Sequence, residues 1–423
     1  MKNTTVRVLV CYGVFCFVLL TACMNPDNPA EVSTPPSVPE WKIVATAGSL
    51  SGGAQYLNLV FDQNDVPYTA FQEDVDKARV MKLVNGGWEY IPASSTGLSD
   101  GKSISESFQI YGGTPYIVYR DYSFSSKVVA MHYTGAETES DATVDDGWEY
   151  LGTGPFTTGS GQNISLDIDA NGDVYAAFSD GSNSYRLTVI KYTGNTTSDS
   201  DEVVNDGWEY VGSPGISAGI PQYTDLKINP SENMPYVVFQ DGGDSDKVRL
   251  AKFDGSSWSF VGGGSFSQYY VDYTNLSFDG DGNPYVVFTA MPYITARVMT
   301  FTGNTTDDSD EVANDGWEYV GSGPLTSERV FLTKIVIDSG GTPTVAFFDY
   351  ASDEVVVMRY TGNTTDDTDE VANDGWEYIG DTSAYTTGST GGDICLQLDS
   401  DDIPYVLFTD GDNEKKPTLI TYQ

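Results

Sequence analysis

The chain has 423 residues, and its 61 acidic side chains outnumber its 21 basic ones, which gives a formal net charge of -40. A field of that sign repels nucleic acid and anionic lipid headgroups, so the composition excludes nucleic-acid binding and favours cations, cationic partners or plain solubility. The length suffices for two or three ordinary domains or for one large repeat assembly.

The N-terminus has the features of an export signal. Residues 1–22 have a charged start and an apolar run at 8–20. That run is shorter than the roughly 18 to 20 residues that span a bilayer, which indicates a signal peptide rather than an anchor helix. The tetrapeptide LTAC, at 20–23, resembles the lipobox of bacterial lipoproteins. The resemblance implies that Cys23 carries fatty acyl chains such as palmitate and anchors the mature chain to the cell envelope, at the outer membrane or the cell surface.

A tether is predicted at residues 23–40. Residues 24–40 contain five prolines, so this stretch should be a semi-rigid spacer of about 50 Å at ~3.1 Å per residue. Beyond Cys23 the chain contains a single cysteine, Cys395, which excludes an intrachain disulfide in the mature protein. The exported domain must therefore be held together by its core.

Tryptophan recurs through the rest of the chain at intervals of 47 to 60 residues, a period typical of a solenoid or a propeller. The seven are Trp41, Trp88, Trp148, Trp208, Trp258, Trp317 and Trp376. Each interval contains four short β-rich runs, here called A to D, and no long helical periodicity. In the unit that ends at the sixth tryptophan, the four runs are NLSFD (275–279), PYVVF (284–288), ARVMTFTG (296–303) and WEYVG (317–321). Four antiparallel strands in a unit of this length predict one blade of a β-propeller.

The phase of the repeat predicts how the ring closes. The chain ends on TLITYQ (418–423), which matches a C run, and the missing D run is WKIVA (41–45). We therefore predict an all-β, seven-bladed β-propeller over residues 41–423, with four-stranded blades and with the N-terminal strand completing the last blade. A stack of unclosed repeats or a β-helix is the alternative.

Two short patterns of the units, W-x-x-V-G and P-Y-V-x-F-x-D, carry a family resemblance. They resemble the units of uncharacterised bacterial β-propeller repeat lipoproteins and, more distantly, those of lectin propellers of the fucose-binding type. The resemblance covers nearly all of residues 41–423 and implies a fold rather than a ligand, so no sugar-binding position is carried over.

Residues that break the repeat form the candidate ligand site, because blade packing cannot require them. The D-to-A loop of blade 5, GGGSFSQYYVDYTN, breaks it most clearly, on the propeller face that also holds the B-to-C loops. With its neighbours in blades 4 and 6, it is predicted to bring to the channel mouth Tyr223, Asp225, Tyr269, Tyr270, Asp272, Tyr273 and Arg329. Tyrosines beside carboxylates suit a sugar, which stacks on the rings and bonds through its hydroxyls. Ordinary loop packing is the alternative.

Long acidic loops join strands C and D in four blades, and the two most alike lie at 303–316 and 362–375. Calcium takes six to eight oxygen ligands, so the candidate calcium ligands are Asp307, Asp308, Asp310 and Asp315 with Asp366, Asp367, Asp369 and Asp374. Their spacing differs from the EF-hand pattern. The alternative is a helical turn capped by Ser309 or Thr368 and ended by Gly316 or Gly375. No other cofactor is predicted.

An acid also ends strand B in six blades. The six are Glu73, Asp121, Asp180, Asp241, Asp349 and Asp410. They could form a carboxylate ring for a cation or for sugar hydroxyls, or each could cap its own B-to-C turn.

Few residues are candidates for catalysis. His132 is the only histidine, which argues against a Ser-His-Asp triad and against histidine-ligated metal, and Cys395 lies in an apolar run that predicts burial. Two carboxylates suffice for a glycosidase. We expect a monomeric, lipid-anchored binding or scaffold module for carbohydrate or protein, with a carbohydrate-active hydrolase as the alternative.

Overall fold

The computed structural model describes residues 39–423 except 49–51, 74–75, 93–96, 100, 136–146, 197–202, 204–205, 307–311, 313–314, 366–370, 372–373, 384 and 386–391. The predicted signal peptide, Cys23 and residues 24–38 of the tether lie outside the described residues. So do the caps Ser309 and Thr368 and six of the candidate calcium ligands, Asp307, Asp308, Asp310, Asp366, Asp367 and Asp369. Within the described part, no helix is both long and apolar enough to cross a membrane.

Seven four-stranded antiparallel sheets form the blades of a β-propeller, which confirms the predicted fold class. Strand β1 (Trp41–Thr46) belongs to blade 7. Blade 1 has β2 (Ala54–Phe61), β3 (Pro67–Glu73), β4 (Lys77–Val84) and β5 (Gly87–Tyr90). Blade 2 has β6 (Ser103–Tyr111), β7 (Thr114–Asp121), β8 (Lys127–Tyr133) and β9 (Trp148–Tyr150). Blade 3 has β10 (Gly161–Ile168), β11 (Val174–Asp180), β12 (Arg186–Asn195) and β13 (Gly207–Tyr210).

The remaining blades follow the same order from the innermost strand A outward. Blade 4 has β14 (Pro221–Ile228), β15 (Pro235–Asp241), β16 (Lys247–Phe253) and β17 (Trp258–Phe260). Blade 5 has β18 (Val271–Phe278), β19 (Pro284–Ala290), β20 (Thr295–Asn304) and β21 (Gly316–Tyr319). Blade 6 has β22 (Val330–Ile337), β23 (Pro343–Asp349), β24 (Glu354–Asn363) and β25 (Gly375–Tyr378). Blade 7 begins with β26 (Ile394–Leu398), β27 (Pro404–Asp410) and β28 (Lys416–Tyr422), and single 3-10 turns lie at Gly181–Asn183 and Gly411–Asn413.

Blade 7 takes its strands from both ends of the chain, in the order β1-β28-β27-β26. Strand β1 runs antiparallel to β28, with Trp41 opposite Tyr422 and Thr46 opposite Thr418. Ala45 of the same strand packs in one hydrophobic cluster with Trp88 of blade 1. The N-terminal strand therefore pairs with the C-terminal strand inside one blade and contacts the first blade of the ring.

The hairpins between strands A and B are fixed by an Asx turn. In blade 5, Asp279 Oδ1 accepts from the backbone nitrogens of Asp281 and Asn283, at 3.0 and 2.8 Å. Equivalent bonds to an aspartate that directly follows strand A occur at Asp62, Asp169, Asp338 and Asp399. Such local side-chain bonds favour a turn over continued pairing, so these aspartates end the first strand of the blade.

Neighbouring blades are joined by the repeating tryptophans. Six of the seven indole N–H groups donate to a backbone carbonyl at the end of strand D in the preceding blade, for example Trp208 Nε1 to Leu151 O at 2.9 Å. The rings themselves fill the space between blades, and Trp148, Trp208, Trp317 and Trp376 are fully buried. Trp88 is also buried, but its N–H has no partner among the described residues. The seam between blades 7 and 1 therefore depends on packing instead of this bond.

Trp41→Ala should strongly destabilise the ring, because it deletes a buried indole of β1 and its bond to the Ile379 carbonyl. The expected loss in the free energy of unfolding is about 3–5 kcal/mol, measured by urea denaturation. The control in the same strand is Ile43→Thr, which changes an exposed side chain and should stay within about 0.5 kcal/mol of the wild type. Equal effects of the two substitutions would contradict a role of β1 in holding the ring together.

Candidate functional site

Each of the first six innermost strands is bulged near its start. The register between strands A and B shifts after the second residue of strand A, as between Asp272 and Asn275 in blade 5. A non-glycine residue with positive φ lies within the shift in five blades, at Tyr56, Asn163, Tyr223, Tyr273 and Leu332. All five line one cavity of about 400 Å3 at the channel mouth. In these five blades the bulge therefore places one residue at this mouth.

An inner ring of side chains lines the channel below the bulges, one from each blade. Its members are Asn58, Ser107, Ser165, Asp225, Asn275, Lys334 and Cys395. All except Cys395 line both the mouth cavity and a deeper cavity of about 380 Å3. The inner ring thus divides the channel into an upper and a lower part.

Most polar members of the inner ring also join adjacent blades. Asp225 Oδ2 accepts from Leu276 N at 2.9 Å and from Asn275 Nδ2 at 2.7 Å. Ser107, Ser165 and Asn275 accept from the equivalent backbone nitrogen of the next blade, each at 2.9 Å. Asp225 was predicted as a ligand residue, and it does line the mouth cavity, but its carboxylate is already bonded within the ring. Its role in the structure is to connect blades 4 and 5.

Above the inner ring, four aromatic rings form a continuous run across blades 4, 5 and 6. The ring centroids of Tyr223 and Tyr273 lie 4.9 Å apart, those of Tyr273 and Phe331 5.9 Å, and those of Phe331 and Tyr350 5.7 Å. The Arg329 guanidinium lies 4.5 Å from the Phe331 centroid and 5.1 Å from that of Tyr350. We call these five residues together with Asp272 the mouth cluster.

The Tyr223 phenol lies beside the Asp272 carboxylate, close enough for each group to shift the pKa of the other. Gln240 Nε2 donates to the same carboxylate at 3.2 Å. Burial raises the pKa of Asp272, although Tyr223 and Gln240 oppose the shift. Burial, followed by the charge of Asp272, also raises the pKa of Tyr223. The cluster therefore holds a carboxyl group that keeps its proton to a higher pH than an ordinary aspartate.

The other predicted tyrosines lie on the loop beside the cluster. Tyr269 and Tyr270 are 44% and 41% exposed, and Tyr270 is close enough to Tyr223 to raise its pKa further. Their backbone carbonyls accept hydrogen bonds from Ser267 Oγ and Met291 N. The structure therefore brings together Tyr223, Asp272, Tyr273 and Arg329, with Tyr269 and Tyr270 at their edge.

Sequence reasoning missed three residues of this region, namely Phe331, Tyr350 and Asp393. Phe331 holds the position of Asp272 in strand A, where three other blades have glutamine, so the rule of looking for breaks in the repeat would have found it. Asp393 lines the mouth cavity from blade 7, and its carboxylate accepts from the Tyr56 backbone nitrogen. Burial raises its pKa.

The acids at the ends of strand B are turn caps, as one of the two sequence interpretations predicted. Asp121, Asp180, Asp241, Asp349 and Asp410 each accept from the backbone nitrogen two residues on, at 2.7 to 3.0 Å. Glu73 instead pairs with Arg79 at 2.8 Å in a buried contact. These carboxylates are used within their own blades, so they do not form a ligand ring.

Two of the candidate calcium ligands lie in the described residues. Asp315 Oδ1 accepts from Trp317 N at 2.9 Å, and Asp374 Oδ1 accepts from Trp376 N at 2.8 Å. Asp206 makes the same bond to Trp208 in blade 3, so this contact belongs to the start of strand D. In the described part of the chain, no group of three or more His, Cys, Asp or Glu side chains could hold a metal ion. Calcium binding by the acidic loops stays a prediction.

His132 and Cys395 have structural surroundings. His132 lies in β8, where its ring is 5.8 Å from that of Tyr116, and burial lowers its pKa. Cys395 is buried, as predicted, and its thiol donates to the Leu57 carbonyl at 2.9 Å. Burial raises the pKa of this thiol to about 12, so it is not a nucleophile at neutral pH.

The raised pKa of Asp272 predicts a pH-dependent stability. The unfolded chain releases this proton near pH 3.9 and the folded chain only at higher pH, so the contribution of Asp272 to stability falls as the pH rises through that interval. Asp272→Asn should therefore gain stability relative to the wild type between pH 4 and pH 7 in urea melts. Asp281→Asn, at an exposed turn, is the control for the substitution itself. A difference that does not change with pH would contradict the shift.

Comparison with known proteins gives matches only among solved structures. No family model matches the chain, and no curated protein matches it. A polysaccharide lyase of the PL25 ulvan lyase family is similar at 12% identity with a TM-score of 0.53, over 89% of this chain and 94% of that one. The same kind of lyase bound to -[GlcA(1-4)Rha3S]- gives 0.52, with the same identity and coverage. The SapL1 lectin in complex with alpha methyl fucoside gives 0.45 at 12% identity, over 80% of this chain and 99% of that one. At these identities the likeness to the lyase is a likeness of fold.

Proposed function

We propose that the protein is a carbohydrate-binding module of the bacterial cell envelope and that the mouth cluster holds the ligand. The observation that carries the proposal is the run of aromatic rings from Tyr223 to Tyr350, which spans three blades at one side of the channel. Blade packing cannot explain this run, because most blades lack its residues at the equivalent positions.

The chemistry of the mouth cluster suits a sugar chain. Aromatic faces accept the apolar face of a pyranose, while carboxylate, phenol and guanidinium groups bond its hydroxyls. Tyr223, Tyr273 and Phe331 are half-buried and held by one another, so little side-chain entropy is lost when a ligand stacks on them. Tyr350 and Arg329 are exposed and extend the surface outward. We infer an extended ligand that crosses the mouth from blade 4 to blade 6.

The similar solved structures support this class of ligand by analogy of fold. The ulvan lyase is a polysaccharide-active protein, and one of its structures holds -[GlcA(1-4)Rha3S]-. Propellers host many functions, so the analogy raises the expectation for a polysaccharide without naming one. A protein ligand remains the second class of partner that the sequence analysis allowed.

One observation favours a hydrolase as the second candidate function. Asp272 and Asp393 are two carboxyl groups of the mouth region, and burial raises the pKa of Asp272, as a general acid requires. A glycosidase needs one carboxyl group that is protonated at working pH and a second carboxylate on the other side of the bond. The two groups come from blades 5 and 7 and do not recur in the repeat. In this alternative, Asp272 is the general acid.

Tyr223→Ala and Tyr273→Ala should each weaken polysaccharide binding about tenfold, because loss of one stacked ring costs on the order of 1.4 kcal/mol. The measurement is titration calorimetry, with probes chosen from an array of neutral, uronic-acid and sulfated polysaccharides. Tyr111→Ala removes an exposed tyrosine near the A-to-B hairpins, away from the mouth, and should bind normally.

The same incubations test for turnover. Binding without release of new sugar ends supports the module. Release of ends that stops in Asp272→Asn would overturn it in favour of the hydrolase. Binding that both tyrosine variants retain would show that the ligand does not use the mouth cluster.

The proposal includes a lipid anchor on Cys23 and a location at the outer membrane or cell surface. The lipobox-like LTAC and the proline-rich residues 24–40 support it, since together they would hold the propeller clear of a membrane. Pairing of β1 with β28 also leaves blade 7 with its full set of four strands, which supports a monomer.

Cys23→Ser should move the protein from the membrane fraction to the soluble fraction and abolish incorporation of labelled palmitate in a bacterial host. Cys16→Ser, inside the apolar run, is the matched control and should leave both unchanged. Membrane attachment that survives Cys23→Ser would contradict a lipid anchor at this residue.

A further inference from the structure

A second cavity lies away from the channel, between the outer strands of blades 3 and 4. Its volume is about 310 Å3. The apolar part of its lining consists of Pro214, Ile216, Trp258 and Phe260, and Ser213 is among the serines that complete it. None of the residues lining this outer pocket carries a charge, although the chain as a whole has a net charge of -40.

Trp258 differs from the other six tryptophans of the repeat. Those six are buried, whereas Trp258 is partly exposed. Its indole N–H makes the usual bond, to Val211 O at 2.6 Å, and its ring has the usual neighbour in strand C, Phe253, at 5.4 Å. Trp258 therefore has the same position and hydrogen bond as the other tryptophans, but its ring is less buried.

Other blades place a phenylalanine or a leucine beside the indole, and the phenylalanines stack on it. Phe156 lies 4.5 Å from the Trp208 centroid at an angle of 34°, and Phe266 stacks on Trp317 at 3.9 Å and 12°. Each phenylalanine comes five residues after the carbonyl that accepts the indole N–H. In blade 3 that position is Ile216, which has no ring to stack on Trp258.

The backbone at the three positions is the same, so the difference lies in the side chain. The nitrogens of Phe156, Ile216 and Phe266 donate to the equivalent strand C carbonyls, at 3.1, 2.9 and 3.2 Å. The following residue, Thr157, Ser217 or Ser267, accepts from the same strand C residue through its hydroxyl. Leu98 and Leu325 hold the equivalent position in blades 1 and 5, in the same clusters as the buried Trp148 and Trp376. The outer pocket therefore lies where two blades place a phenylalanine ring and two place a leucine.

The turn beside the pocket is short and internally bonded. Blade 4 joins strands C and D through residues 254–257, where four other blades have a long acidic loop. Asp254 Oδ1 accepts from Ser256 N and Ser257 N, each at 2.8 Å, which fixes the serine side of the pocket. A ligand would therefore meet a pre-formed site.

From these observations we infer that the outer pocket is a second binding site, which takes one pyranose ring of a neutral sugar in the place that Phe156 and Phe266 occupy in other blades. The indole of Trp258 supplies the stacking face, and serine hydroxyls at the edge suit a hydroxylated ring better than a bare aromatic one. The absence of charge in the lining and the acidity of the chain disfavour an anionic sugar. The volume is at the lower end of the range for small-ligand sites, about 300–1,000 Å3, which suits a mono- or disaccharide.

The test is to fill the pocket with phenylalanine, the residue that blades 2 and 4 have at this position. The full chain and Ile216→Phe are titrated with the methyl glycosides of glucose, galactose, mannose and fucose, with glucuronic acid and with p-cresol as a mimic of an aromatic side chain. Protection of tryptophan fluorescence from acrylamide and calorimetry give the affinity. We expect saturable binding of at least one neutral glycoside, weakened tenfold or more in Ile216→Phe, with Ile216→Val as a matched control that keeps the pocket open and binds like the wild type.

Trp258→Leu is the second variant, which removes the stacking face without filling the pocket, and it should lose binding as well. The inference is overturned if no neutral glycoside saturates, if Ile216→Phe and Trp258→Leu both bind like the wild type, or if only p-cresol or glucuronic acid binds. It is also overturned if glycoside binding survives Ile216→Phe but disappears in Tyr223→Ala. That last result would place the sugar at the mouth and leave the proposed function intact.

Discussion

The contact on which the ring depends is the insertion of a tryptophan between successive blades. Each indole fills space between two neighbouring sheets. At six interfaces its N–H also donates a hydrogen bond to a carbonyl at the end of strand D in the preceding blade. A buried carbonyl without a partner costs about 1–3 kcal/mol, so this bond fixes the spacing of adjacent blades as well as filling space. The interface at Trp88, between blades 7 and 1, lacks this bond within the described residues. It lies next to β1, the N-terminal strand that pairs with the C-terminal strand in blade 7.

Around the channel, a second set of contacts holds the innermost strands together. Side chains such as Ser165 and Asn275 accept from the backbone of the next blade, so most of the inner ring is used for structure. At the bulges, Tyr223 and Tyr273 have left the regular ladder, and they bond to the next blade through their backbone carbonyls, which accept from Thr274 and Thr333, and not through their side chains. This division explains why the mouth can hold irregular side chains without cost to the ring. Function in a repeat protein is expected at such positions, because loops and bulges vary while the scaffold stays constant.

Both proposed sites are departures from the repeat, but of opposite kinds. At the mouth, blades 4 to 6 carry aromatic rings at positions where most other blades have none, and the rings pack into a surface. In the outer pocket, blade 3 supplies Ile216 where blades 2 and 4 supply phenylalanine, and the indole of Trp258 is partly exposed. The added aromatic residues are visible in the sequence as an unusual loop. The absence of a ring at Ile216 is visible only when the blades are compared in space, because isoleucine is an ordinary core residue.

The sequence by itself determined the number of blades, the class of fold and the residues that break the repeat, because tryptophan spacing and alternating β-rich runs report local geometry directly. It placed strand A of blade 5 at Asn275, whereas the strand begins at Val271, because the bulge interrupts the alternation that marks a strand. Only the tertiary structure decided that Asp225 is bonded inside the ring, that Phe331 and Tyr350 complete the mouth cluster, and that Trp258 is partly exposed. These facts depend on which side chains of different blades meet, and contacts between residues some 50 or more positions apart leave no local pattern to read.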